Sequence, residues 1–385
     1  MTLALLLACS APDVAALFGD VQTFVEPDGE AADRHLIDAI DAATTELSVA
    51  LPSSENVDLA DAIVAAWDRG VAVEVVTDVD VADDPGIAAI SDALIPLRLA
   101  DGGLTYFDFA INVDVTWTSE QVRMSHAWAI VDHERIVGAT SAGSLASGPR
   151  VVLDTRGEDL VEDFLLEFNQ VFGGTDATAL TSFSNPAKSV VDARWIYGTT
   201  DDTTLGVWFG PQERLVKRVI DAVYGARSSV RILTDDLSND GLVRALQAKA
   251  ANGFPVTVIV GPRFGTASSA QARALENEAP DVERFRVTDE DTLPTVLLVD
   301  LESTRLGQRN PAVAMILTHD LVSSARVWTG TEVESDQLID GTLWSLTDTD
   351  DYRIGPSGGS EGPSGGPHQA LLDLFETQLD RAEPL

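Results

Sequence analysis

A chain of 385 residues with 62 acidic and 25 basic side chains carries a formal charge of −37, and a field of that sign repels nucleic acid, anionic membrane surfaces and free phosphodiesters. A hydrophobic fraction of 45% suits a folded protein with room for two ordinary domains, and no apolar run after the first few residues is long enough to span a bilayer. Lys188, Lys217 and Lys249 are the only lysines, and the acids are spread along the chain, so the surface reads as a solvated one adapted to salty or extracellular surroundings and not as an interaction tail.

The chain begins "MTLALLLACSAP", a short apolar run reaching the only cysteine, Cys9. This resembles the end of a bacterial lipoprotein signal, although a basic front is missing and Leu7 stands where a smaller residue is usual. The expectation is an exported cell-envelope protein, periplasmic or extracellular, with a lipid on Cys9 and residues 1–23 as signal remnant and linker. The alternative is a frayed apolar terminus with an incidental thiol. A single cysteine excludes a disulfide framework.

Residues 36–78 then read as helix, strand (47–50), polar turn, a second helix ending near Gly70, and an alternating apolar strand. More strands are expected over 111–118, 122–131 and 135–139, followed by a helix over 158–172. Residues 176–203 join this part to a second run of the same kind. There Leu215, Val216, Val219, Ile220, Val223 and Tyr224 recur at helical spacing, a strand covers 230–233, and a second helix ends near Gly253. Ile40-Asp41-Ala42 matches Ile220-Asp221-Ala222, so the chain reads as an internal duplication of β-α-β units, each needing a right-handed crossover. Strands follow over 295–299, 312–317, 325–329 and 341–346. Residues 355–367, "GPSGGSEGPSGGP", read as a flexible loop, and a last helix over 369–381 buries Leu371, Leu372, Phe375 and Leu379.

Three stretches carry a family resemblance. "VWFGPQERLVKRVIDAVYGARSSVRIL" (207–233), "RGEDLVEDFLLEFNQVFGG" (156–174) and "ARVWTGTEVESDQLIDGTL" (325–343) occur in that chain order around the duplication. Together they resemble the phospholipase D superfamily over residues 24–381. The resemblance implies an α/β fold of two tandem sandwich halves packed face to face, 24–175 and 204–385, with one site between them. It also implies His-x-Lys, a following aspartate and a Gly-Ser-x-Asn segment from each half. One histidine would attack phosphorus, the other would protonate the leaving oxygen, and the lysines and asparagines would hold the phosphate. No cofactor is implied.

The residues that should do this are missing. With Asp132 as the motif aspartate, Ser125 and Ala127 occupy the histidine and lysine positions, and His126 lies one residue out, on the other strand face. With His126 as nucleophile, the lysine position becomes Trp128 and the aspartate is early. Ala139-Thr140-Ser141-Ala142-Gly143 replaces Gly-Ser-x-Asn, with Thr140 at the hydroxyl position. In the second copy Asp320 as motif aspartate gives Val313 and Met315, Asp300 gives Leu293 and Thr295, and Gly330-Thr331-Glu332-Val333 lacks the asparagine. No lysine follows a histidine by two residues anywhere in the chain.

Among the other histidines, His133 and His319 adjoin aspartates and read as solvated turns; no spacing supports a metal site. The acidic stretches 77–84 and 346–352 lack the glycine and distal glutamate of a calcium loop and read as solvated too. A phospholipase D-like protein without catalysis, serving a binding or structural role in the envelope, is therefore the expected function. A phosphodiesterase built on Ser125, His126 or Thr331 is the runner-up, and a metal- or partner-binding envelope protein the third. The partner itself is not legible in the sequence.

Overall fold

The computed structural model describes residues 21–78, 84–94, 109–112, 124–172, 196–198, 203–210, 213–237, 239–262, 264, 281–290, 292–300, 312–321, 327–328, 331–332, 341–348 and 367–385. Cys9, Gly330, the Gly/Pro/Ser stretch 355–366 and most of both acidic stretches lie outside the described residues. The first half runs β1 (Val21–Asp28), α1 (Gly29–Asp41), β2 (Glu46–Leu51), α2 (Val57–Asp68), β3 (Ala72–Asp78), α3 (Pro85–Leu94), β4 (Phe109–Asn112), β5 (Trp128–Val131), β6 (Arg135–Ala139), β7 (Ser147–Arg156) and α4 (Glu158–Phe172). Its sheet has the order β1-β7-β6-β5-β2-β3-β4, with β2, β3 and β4 parallel and the other pairs antiparallel.

The second half contains β8 (Ile196–Gly198), β9 (Thr203–Phe209), α5 (Leu215–Gly225), β10 (Val230–Thr234), α6 (Asp240–Ala251), β11 (Val256–Val260) and β12 (Glu283–Arg286). It continues through β13 (Thr295–Val299), β14 (Val313–Leu317), the small pair β15 (Val327–Trp328) and β16 (Thr331–Glu332), β17 (Thr342–Asp348), α7 (Pro367–Arg381) and β18 (Glu383–Pro384). The order β18-β12-β11-β10-β13-β14-β17-β9-β8 repeats that of the first sheet, read from β4 to β1, with one added strand at each edge.

Local chemistry sets the element ends. Asp28, Asn56 and Asn239 cap α1, α2 and α6 by accepting from the amides of Ala31, Asp58 and Leu242. Gly70 and Gly253 follow α2 and α6 with φ of +90° and +81° and nothing within 4 Å of a would-be Cβ, so conformation and not crowding requires glycine there. Strand β7 escapes sequence reading because it contains Gly148 and Pro149. Both sit where the β1–β7 register shifts, and Gly148, at φ +117°, brings its Cα against the Thr292 carbonyl of the other half.

Among the described residues, three apolar clusters divide the interior. One lies between the first sheet and α1–α3, a second between the second sheet and α5–α6. The third is shared: Trp128, Ile130, Phe164 and Phe168 from the first half pack with Val207, Val296, Trp344 and, from α7, Leu371 and Phe375. The sheets thus face each other across a largely apolar central layer holding α4 and α7. Along β5 alternate residues part company, Trp128 and Ile130 turning to this layer and Ala129 and Val131 to the outer one.

Candidate functional site at the junction of the halves

Hydrogen bonds place the two copies in register. Asp132 follows β5 at φ 52°, and its carboxylate accepts from the amides of Thr44, Thr45 and Glu46 and the hydroxyls of Thr44 and Thr45, at 2.7–3.1 Å. Asp300 follows β13 at φ 59° and accepts from the amides of Arg227, Ser228 and Ser229 and the Ser228 hydroxyl, at 2.6–3.2 Å. A short polar side chain bonding locally offsets the cost of positive φ. Partial desolvation raises the Asp132 pKa, but the donors together hold it well below the carboxylate range.

Asp300, and not Asp320, is therefore the counterpart of Asp132. Each tethers the turn that feeds the first parallel strand of its half. Val313 and Met315 lie on β14, one strand beyond the motif strand, and Met315 packs in the outer core. The same alignment sets Ile40 against Val223, three residues from the Ile-Asp-Ala match that the sequence suggests, a slip that nearly preserves the helix face.

A second signature agrees. Thr140 exchanges bonds with Val151, amide to carbonyl at 2.9 Å and amide to hydroxyl at 3.0 Å, as Thr318 does with Thr342 at 3.1 and 3.0 Å. Gly143 and Leu321 then accept from the capping residues Asn56 and Asn239. Ser141 thus corresponds to His319, and Ala142 to Asp320. On the motif strands, Ala50 pairs with Trp128 as Leu233 pairs with Val296, which makes Ser125 the counterpart of Leu293, His126 of Pro294 and Ala127 of Thr295.

Ala127 is buried with the outer cluster, whereas His126 and Trp128 face the opposite half. His126 is fully buried, as are its partners. Its Nε2 lies 3.1 Å from Glu167 Oε1, and its Nδ1 is 2.8 Å from Thr342 Oγ1, which also accepts from Trp128 Nε1 at 3.2 Å. Gln170 donates to the other Glu167 oxygen at 3.2 Å. This carboxylate–imidazole–hydroxyl chain crosses between the halves, yet Glu167, His126 and Thr342 are all at most 1% exposed. Its chemistry is that of a sealed polar clasp.

At the edge of the clasp stand residues that have a face to solvent. His319 is not the solvated turn its neighbours in sequence suggest: ring Nδ1 donates to the Asp320 carbonyl at 2.8 Å, while Nε2 is shut off from solvent with no hydrogen-bond partner among the described residues. Burial pulls its pKa down to about 4, helped by nearby His126. Gly341 lies between the halves, where a Cβ would come within 2.8 Å of His319 Cδ2, 3.0 Å of Thr318 Oγ1 and 3.3 Å of Ser125 Oγ. Ser125 is partly exposed. Thr331 belongs to the separate β15–β16 pair.

The remaining histidines are engaged elsewhere, His35 with Glu26 and His133 with Glu46 at 2.7 Å each, and His368 with the Leu346 carbonyl. Lys217 pairs with exposed Asp221, and Lys249 donates to the Ala226 carbonyl. Among the described residues no cluster of histidine, cysteine and acidic side chains could hold a metal ion. Sequence reading missed Glu167, Gly341 and Thr342. Nothing marks Glu167 within its helix except that an acid falls on the face with Phe164 and Phe168.

No protein-family model matches the sequence, and no curated protein matches it. Among solved structures, phosphatidylserine synthase of Haemophilus influenzae is similar, with a TM-score of 0.58 and 12% identity over 94% of this chain and 87% of that one. Polyphosphate kinase of Porphyromonas gingivalis gives a TM-score of 0.54 and 13% identity over 95% of this chain and 48% of that one. Both similarities are those of fold.

Proposed function

Given that the chain has the two-copy fold of the phospholipase D superfamily, we propose that it no longer runs the superfamily's phosphodiester chemistry and uses the junction of its halves for binding. One observation carries this reading. The positions that the resemblance gives to lysine hold Ala127 and Thr295, both buried, and the neighbouring strand positions turned toward the opposite half hold Trp128 and Val296, both packed in the shared core. The acid Glu167 stands against His126 there. A phosphate entering this space would meet apolar side chains and a buried carboxylate, the reverse of what stabilises an anion in transit.

The test is turnover of phosphatidylcholine vesicles and of bis(p-nitrophenyl) phosphate by the purified chain, at low and high salt, beside His126→Gln. The expected result is no release of product above buffer from either protein. Turnover by the parent that disappears in His126→Gln, with both proteins folded by circular dichroism, would overturn the reading.

A further inference from the structure

We propose that the two halves carry faces matched only to each other, so that the chain closes on its own opposite half and like halves of separate chains do not pair. The duplication makes like pairing the natural competitor. Strand pairing gives Trp128 and Val296, Gly138 and Ile316, and Leu153 and Trp344 as sister positions of the two sheets. All of these side chains are turned into the same shared layer. A second copy of either half would therefore bring an apolar face of similar outline to that layer.

Two features of the layer exist only when unlike halves meet. The first is steric. Trp344 of the second half lies over Gly138 of the first, with ring carbons 2.7 and 3.0 Å from where a Cβ would stand. The ring is 1% exposed, so its surroundings hold it in place. On the same docking geometry, two second halves would set Ile316 under Trp344 and clash. Two first halves would set Leu153 over Gly138 and leave a void.

The second feature is polar. The fully buried Thr342 hydroxyl bonds His126 Nδ1 at 2.8 Å and accepts from Trp128 Nε1 at 3.2 Å. The sister position of Thr342 is Val151, and those of His126 and Trp128 are Pro294 and Val296. Two first halves would thus bury both copies of His126 against valine. Two second halves would bury the Thr342 hydroxyl against proline and valine. A buried polar group that loses its partner costs more than the bond gained, so both like pairings are opposed. The net charge of −37 works against any association of chains, but only these contacts tell like from unlike.

The intact chain can be made to host each like contact. Gly138→Ile rebuilds the contact of two second halves, and Trp344→Leu and Thr342→Val rebuild those of two first halves. Each brings in the residue that the sister strand already carries. In urea denaturation, Gly138→Ile and Trp344→Leu should each lower the folding equilibrium constant roughly ten- to hundred-fold, and Thr342→Val about ten-fold. The double variant Gly138→Ile/Trp344→Leu should be about ten-fold or more above the product of the single effects. Equal amounts of isotope-labelled and unlabelled chains, refolded together at high concentration, should then show no carboxylate cross-link between like halves of different chains by mass spectrometry. Single effects that simply multiply, a Thr342→Val chain as stable as the parent, or cross-links between like halves would each overturn the proposal. None of these readouts depends on phosphodiester turnover, so failure here is distinguishable from failure of the proposed function.

Discussion

Two buried titratable side chains oppose each other in the acid range. His319 has its pKa pulled from 6.5 to about 4 by burial, so the unfolded chain binds the proton first, and the stability it contributes is lost as pH falls below about 6.5. Asp33 is raised from 3.8 to about 6, burial outweighing its bonds from the Gly143 amide and the Asn56 side chain. Its contribution is complete below about 3.8 and is lost as pH rises through about 6. Across roughly pH 4–6 the two slopes offset. Separating them by substitution should reveal each. Relative to the parent, Asp33→Asn gains about 3 kcal/mol on going from pH 4 to pH 7, and His319→Gln gains about 3 kcal/mol on going from pH 7 to pH 4. Urea midpoints at the two pH values measure both, and parallel pH profiles for parent and variants would contradict the burial assigned to these groups.

At the scale of elements, the halves are joined by close approach of backbone and rings. A Cβ on Gly138 of β6 would come within 2.7 Å of the Trp344 ring on β17, and Trp344 is 1% exposed in the shared core. Gly138→Val should therefore destabilise the protein by about 1–3 kcal/mol through overpacking. Trp344→Leu, made in the same background, should recover part of that loss. A double-mutant cycle by urea denaturation reads the coupling, and strict additivity would mean that the two elements do not press on each other. The Thr292 amide bond to the Ser147 carbonyl at 3.2 Å, beside Gly148, is a second such join.

The whole molecule is governed by its charge. With −37 spread over 385 residues, self-repulsion opposes the compact state and is screened by salt within a Debye length of about 10 Å at 0.1 M. Raising KCl from 0.1 to 2 M should lift the thermal midpoint by roughly 5 °C or more, equivalent to about 4 kcal/mol for a chain of this size. A midpoint that stays level or falls would show that the carboxylates are neutralised by contacts within the fold. The exposed Lys217–Asp221 pair, at 52% and 61% exposure, contributes too little to change that balance.

Local signals gave the sequence its reach. Helical spacing placed α4 and α7 to within two residues, the glycines after α2 and α6 marked helix ends, and the repeated helix–strand pattern revealed the duplication, because each depends on residues a few positions apart. The turn at Asp132 was legible for the same reason, since its own side chain stabilises it. Choosing between Asp300 and Asp320 in the second copy required the sheet order, for the decisive bonds reach back 73 residues to Arg227. That His126 is sealed between the halves while Ser125 keeps partial exposure turned on one residue of register just before β5, where periodicity has no hold. The site itself was decided by tertiary structure alone. His126 meets Thr342 across 216 positions, and Gly341 brings Ser125 beside His319 only because two sheets close on a common core, a contact that no local pattern along the chain encodes.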